Sequence, residues 1–203
     1  WRMARALFAA GFRAGDLLHN SFSYHLTPAG AMLESGAHAL GCAVCPGGVG
    51  NTELQLQAIA DLHPQGYCGT PSFLKILLDK AAEAGQALPS LAKALVSGEA
   101  FPSALRDWLA ARGIEGTQCY ATADAGLIAY ETTAREGLVI DEGVLLAGAR
   151  HELVGADGVQ APAVAALEEV VDAQRSRARP RYHQAAADLR GRVAGEAVVD
   201  AAD

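Results

Sequence analysis

Four times between residues 17 and 122, a short apolar run gives way to a helix-length amphipathic stretch, and a fifth apolar run closes the series. The runs are "DLLHN", "CAVCPGG", "GYCGT", "LAKALVSG" and "EGTQCYAT". Strands this short, joined each time by a helix, point to a largely parallel sheet covered on both faces. The helix signals between them are specific. "WRMARALFAAG" is apolar-periodic and ends on glycine. Thr27-Pro28 and Thr70-Pro71 each put proline at the first helical position, and Asn51 or Thr52 and Pro102 or Ser103 open the other two helices.

After residue 122 the alternation stops. "GLIAYETT", "EGLVID" and "EGVLLAG" are three β runs with no helix between them, which suggests antiparallel pairing at a sheet edge or a second small sheet. From His151 the chain is Ala-rich and charged, and two helices broken at Pro180 are expected there. Arg175, Arg177, Arg179 and Arg181 read as a solvated face or connection, or as a phosphate or coenzyme A contact. The expected fold class is therefore α/β: a largely parallel sheet with flanking helices, a short antiparallel β region and a helical tail.

In open α/β sheets ligands bind beyond the carboxyl ends of the strands. The unusual turns all fall there: residues 20–24, 46–51, 69–71, 97–101 and 120–124. Turns far apart in sequence are thereby expected to line one crevice.

Composition narrows the ligand. The net charge of −7 disfavours a nucleic-acid surface, which needs a basic stripe. It leaves room for a small anion held by backbone N–H groups. No apolar run reaches the roughly 20 residues of a membrane span, and no secretory signal is visible. The Arg- and Ala-rich composition suits a GC-rich bacterial source, and Trp1-Arg2-Met3 reads as the interior of a longer protein. Cys42 and Cys45 have C-x-x-C spacing, but on a strand residues three apart face opposite ways. They are read, with Cys68 and Cys119, as reduced core thiols of a cytoplasmic protein.

Individual candidates divide between chemistry and packing. Glu99 and Asp124 suit a hydrated Mg²⁺ or a ribose hydroxyl, although an aspartate after a strand often serves as a helix cap. Tyr120 suits stacking on a base. Phe22 and Tyr24 suit an aromatic ligand, although aromatics two apart on a strand commonly just pack. His25 is the one histidine placed in a candidate loop. His19, His38 and His63 show no metal spacing, and neither a P-loop nor a G-x-G-x-x-G is present.

Taken in order, the segments resemble a known family. "ARALFAAGFRAGDLLHNSFSYHLTPAG", "PGGVGNTELQLQAIADLHP", "GTPSFL", "SGEAFP" and "CYATADAGLIAYE" are similar to successive motifs of phenylacetate–CoA ligase-type enzymes, in the adenylate-forming (acyl-CoA synthetase, AMP-binding) superfamily. The resemblance covers about residues 1–146, implying an incomplete core of the N-terminal AMP-binding domain, with 147–203 a tail of uncertain relation. It implies ATP-dependent activation of a small aromatic or arylacetic acid as an acyl-adenylate, then thioester formation with coenzyme A. ATP/AMP, Mg²⁺ and coenzyme A would be the cofactors, with a homodimer implied and no nucleic-acid or membrane partner.

The same resemblance assigns Ser97, Gly98, Glu99, Tyr120, Ala121, Thr122 and Asp124 to the nucleotide, Asp124 also to the metal, and Phe22, Tyr24 and His25 to the substrate. This chain departs from the family at Ala123, where a hydroxyl is expected, and at Asp124, where a glutamate is expected. The family's phosphate loop, ribose-binding aspartate and C-terminal lysine have no match in it. The chain by itself is therefore expected to be inactive; the alternative is a non-catalytic module that binds nucleotide or acyl-CoA.

Overall fold

A computed structural model describes residues 2–141 of the protein. The run "EGVLLAG", the arginine run and the expected tail helices lie outside these residues.

Twelve elements alternate as the sequence implies: α1 (Arg2–Ala9), β1 (Leu17–Asn20), α2 (Ala29–Leu40), β2 (Ala43–Pro46), α3 (Thr52–Leu62), β3 (Gly66–Gly69), α4 (Pro71–Glu83), β4 (Lys93–Val96), α5 (Ser103–Ala110), β5 (Glu115–Thr122), β6 (Gly126–Glu131) and β7 (Leu138–Ile140). One sheet holds all seven strands in the order β2-β1-β3-β4-β5-β6-β7. The first five are mutually parallel, and β6 and β7 add antiparallel at the edge. The two β runs after residue 122 that fall among the described residues thus extend the main sheet.

The pleat divides the core in two. Leu18, Cys68, Leu95 and Cys119 pack with Leu7 of α1 and Leu33 of α2 on one face. Tyr67, Ala94 and Val96 pack with Ile59, Leu74 and Leu109 from α3, α4 and α5 on the other. Each helix supplies an apolar stripe at helical spacing, as in Leu74, Leu77 and Ala81 of α4. α1 and α2 approach closely, because a Cβ on Gly36 would stand 2.5 Å from Met3 Cβ.

Two local expectations differ in detail. β2 is an edge strand, so only Cys42, just before it, is buried, while Cys45 is half-buried. All four cysteines are free thiols. Asn51 does precede α3, but it sits at φ 50°, ψ 49°, and its side chain makes no capping bond. A side-chain cap needs an extended backbone at that position; here the preceding loop is folded around Gln55 instead.

Candidate functional site

The loops after the five parallel strands converge on one cavity of about 310 Å³. Ser21, Phe22 and Ser23 come from the β1 loop, Val49 from the β2 loop and Thr70 from the β3 loop. Ser97 and Gly98 follow β4, and Ala121, Thr122 and Ala123 end β5. Its floor is built by Met3, Met32, Leu33 and Cys119. No charged side chain lines it. The wall is apolar with scattered hydroxyls, which suits an uncharged ring or acyl group.

Buried amides fix the loops after β1 and β2. Gln55 is 3% exposed and uses both ends of its side chain. Its Nε2 donates to the carbonyls of Gly48 (2.9 Å) and Gly50 (2.6 Å). Its Oε1 accepts from Ser21 Oγ (2.7 Å) and lies 2.8 Å from His19 Nε2. Two carbonyls facing Nε2 fix the amide's orientation, so His19 must carry its proton on Nε2. His19 Nδ1 is then a buried lone pair without a hydrogen-bond partner. Burial lowers the imidazole pKa, only partly opposed by the Gln55 bond, which favours the neutral ring. Gly47 is needed beside it, because a Cβ there would lie 2.8 Å from both Gln55 Oε1 and His19 Nε2.

Asn20 does the same for the next segment. Its Nδ2 donates to Tyr24 Oη (2.7 Å) and Gly30 O (3.0 Å), and its Oδ1 accepts from Phe22 N (3.1 Å). This pulls the Tyr24 ring over Gly30, where a Cβ would come within 2.7 Å of it. Phe22 is left facing the cavity.

The loops after β4 and β5 are tied more lightly. Ser97 Oγ donates to Cys119 O (2.8 Å), which leaves the hydroxyl oxygen free to accept. Thr122 Oγ1 accepts from Ala125 N (3.1 Å), which leaves its proton free to donate. Gly98 sits at φ 84°, a conformation that glycine adopts without strain. Burial pushes the Cys119 thiol up to about 11, against a smaller opposing effect from Ser97, so it stays protonated and serves as wall. Behind this side, Arg106 Nη1 donates to Glu131 (2.9 Å) and Gly116 O (2.8 Å) and lies over the Phe101 ring.

Of the residues picked out from sequence, Phe22, Ser97, Gly98, Ala121 and Thr122 share the cavity wall. Tyr24 and His25 stand outside it, in the β1 loop. Glu99 is exposed, its carboxylate 3.4 Å from Ser72 N. Tyr120 alternates away from Cys119 and Ala121 along β5. Asp124 is exposed in the three-residue turn between β5 and β6. Gln55, Ser21 and Met32 were not singled out from sequence. A glutamine within an amphipathic helix carries no local sign that it will be buried.

No protein-family model matches the chain. A phenylacetate–coenzyme A ligase of Aromatoleum evansii is 34% identical over 146 residues, 69% of this chain and 33% of the relative. One from Thermus thermophilus is 34% identical over 125 residues, covering 60% and 28%. The chain is thus similar, at 34% identity, to curated phenylacetate–CoA ligases over the matched residues. It spans about a third of the length of the curated relatives it matches.

Solved CoA ligases share the fold. An open-conformation 2-hydroxyisobutyryl-CoA ligase in complex with 2-HIB-AMP and CoA aligns with TM-score 0.62 and 23% identity, over 68% of this chain and 32% of that one. An anthranilate CoA ligase in complex with anthranoyl-AMP aligns with TM-score 0.53 and 16% identity, over 67% and 27%. Among the described residues, no helix of this CoA ligase-like chain is long and apolar enough to cross a membrane.

Proposed function

We propose that this chain supplies the acyl and nucleotide walls of an ATP-dependent acyl- or aryl-CoA ligase. The observation that carries the reading is the convergence of Phe22 with Ser97, Gly98, Ala121 and Thr122 on one uncharged cavity. These residues lie in three segments, spread over positions 22 to 122, that resemble distinct family motifs. Residues 1–146 are assigned to the core of the AMP-binding domain.

In the reaction, a carboxylate oxygen of the acid attacks the α-phosphorus of ATP, and the bond to pyrophosphate breaks. The thiol of coenzyme A then attacks the acyl carbon, loses its proton to solvent, and AMP departs with the acyl–oxygen bond electrons. Phe22 and the floor exclude water from the acyl group. Ser97 Oγ, already spent as a donor, accepts from a ligand N–H. Thr122 Oγ1, already used as an acceptor, donates to a phosphate or ribose oxygen. Gly98 lets the ligand approach the backbone. Such donors act on charge that builds on oxygen during transfer.

Among the described residues no three His, Cys, Asp or Glu side chains cluster as a metal cage. Mg²⁺ needs no cage when substrate phosphates and water complete its shell. Asp124, an exposed single carboxylate next in the chain to Ala123 of the cavity wall, fits that limited part. There it would help neutralise phosphate charge when the ion is bound. Tyr24 supports the loop that presents Phe22 rather than touching the acid. Glu99, Tyr120 and His25 are assigned to the border of the site.

The test is hydroxylamine trapping of the acyl-adenylate by the full-length protein, with ATP, Mg²⁺ and a panel of aromatic and arylacetic acids. Acyl-hydroxamate that needs both ATP and acid, and falls at least about tenfold in Asp124→Ala, is expected. A folded protein that yields none with any acid overturns the ligase reading. Ala123 favours a second reading, because it lines the cavity where the family pattern expects a hydroxyl. A non-catalytic nucleotide- or acyl-CoA-binding module would gain ligand affinity in Ala123→Ser without gaining turnover.

A further inference from the structure

Both methionines of the 203-residue chain line the same cavity. They are not equivalent. Met3 is 7% exposed, and its Cβ and Cγ are pinned where α1 crosses Gly36 of α2. Met32 is half-buried on the cavity side of α2. Its sulfur lies 3.5 Å from where a Cβ of Gly126 would stand. Gly126 has no side chain, and the gap a Cβ would fill there is bordered by the Met32 sulfur on one side and by Arg2 Nη2, at 3.4 Å, on the other.

The other walls have little freedom. Phe22 is held through its backbone by Asn20, and Ser97 is tied to Cys119 O. Ala121 and Ala123 have no rotatable heavy atoms beyond Cβ. Methionine has three rotatable bonds and a polarisable sulfur that packs well against ring edges. Together with the exposed Val49 on the β2 loop, it is a part of this wall that can change shape without disturbing a hydrogen bond.

We infer that Met32 sets the size of acyl group the cavity accepts, acting as a compressible stop between the acid and the β5–β6 turn. The inference rests on the reading of the cavity as an acyl site and deepens it. The class of acid accepted is compact and uncharged beyond its carboxylate, because no ionised side chain lines the wall to pair with a second charge. A cavity of about 310 Å³ sits at the small end of ligand pockets. Removing the Cγ, Sδ and Cε atoms of Met32 enlarges it toward Gly126, as far as the Arg2 guanidinium that borders that glycine.

The experiment compares kcat/KM for phenylacetate and biphenylacetate in the full-length protein, as wild type, Met32→Ala and Met32→Leu. Hydrophobic pockets discriminate by about 10-fold or more for each missing or extra methylene-sized group. Met32→Ala is therefore expected to move the ratio toward biphenylacetate by about tenfold or more. Met32→Leu conserves volume, keeps the fold and holds a more rigid wall; it is expected to accept phenylacetate and reject biphenylacetate more strongly than wild type. A wild type that discriminates, with the same ratio in both variants, overturns the role of Met32 and leaves the acyl-site reading standing. A folded wild type that activates neither these acids nor any other in a broad panel overturns both.

Discussion

The two sides of the cavity are built differently. The loops after β1 and β2 are held by two buried side-chain amides, Asn20 and Gln55, whose polar atoms bond across loops and helices. The loops after β4 and β5 carry one hydroxyl tie each at the rim, and their acids, Glu99 and Asp124, are exposed. The first side is prepared before any ligand arrives. The second is a rim whose charged groups remain in water until something brings them together. Under the proposed ligase function, a site that would fix a neutral acyl group and receive a charged nucleotide would gain from this division, because only the neutral half can be preorganised in a dry interior without burying charge.

The largest effect expected is at Gln55. Gln55→Leu leaves the carbonyls of Gly48 and Gly50, the His19 Nε2 proton and the Ser21 hydroxyl without their buried partner. A loss of about 3 kcal/mol or more is expected in denaturant unfolding. A loss below about 1 kcal/mol would mean the two sides are not different in kind. Gly47→Ala should cost about 2 kcal/mol by overpacking, since its new Cβ meets Gln55 and His19. A thermal melt of that variant that matches wild type would show that the loop can move away freely.

His19 gives the prepared side a pH signature. Its folded pKa is depressed below the usual value of about 6.5 by burial. The unfolded chain therefore takes up a proton that the folded chain resists. Stability from this group is fully present above about pH 6.5 and falls as the pH drops below it, by up to about 1.4 kcal/mol per unit. His19→Gln, which keeps a donor near Nε2, should remove that slope; unfolding curves at pH 7 and pH 5.5 would reveal its absence in wild type.

Tyr24→Phe removes the acceptor of one Asn20 bond and should cost about 1 kcal/mol. The corresponding probe of the open side is Asp124→Asn. It should change stability by less than about 0.5 kcal/mol, because the turn is exposed. The acyl-hydroxamate yield in the trapping assay of the proposed function should nevertheless fall. Equal stability losses in the Tyr24 and Asp124 variants would erase the contrast between the two sides.

The alternation of apolar runs and helices was enough to place five parallel strands, their covering helices and the loops that meet at the carboxyl ends, because each of those signals is local: period, cap, turn. The ordered motifs also picked out Phe22, Ser97, Gly98, Ala121 and Thr122, which the fold brings to one cavity wall. Which neighbour of each faces inward was not local. Tyr120 and Ala121 are consecutive, yet only Ala121 lines the cavity. That choice depends on pleat and pairing, including the register shift between Tyr120 and Ala121 against β6. The position of β2 at the edge, which exposes part of "AVCP", follows from strand order rather than from strand composition. Gln55 lay inside the "PGGVGNTELQLQAIADLHP" segment, but its burial was not visible there. A glutamine becomes structural only when a glycine loop, a histidine and a serine from other segments arrive around it, and that meeting is made by tertiary packing alone.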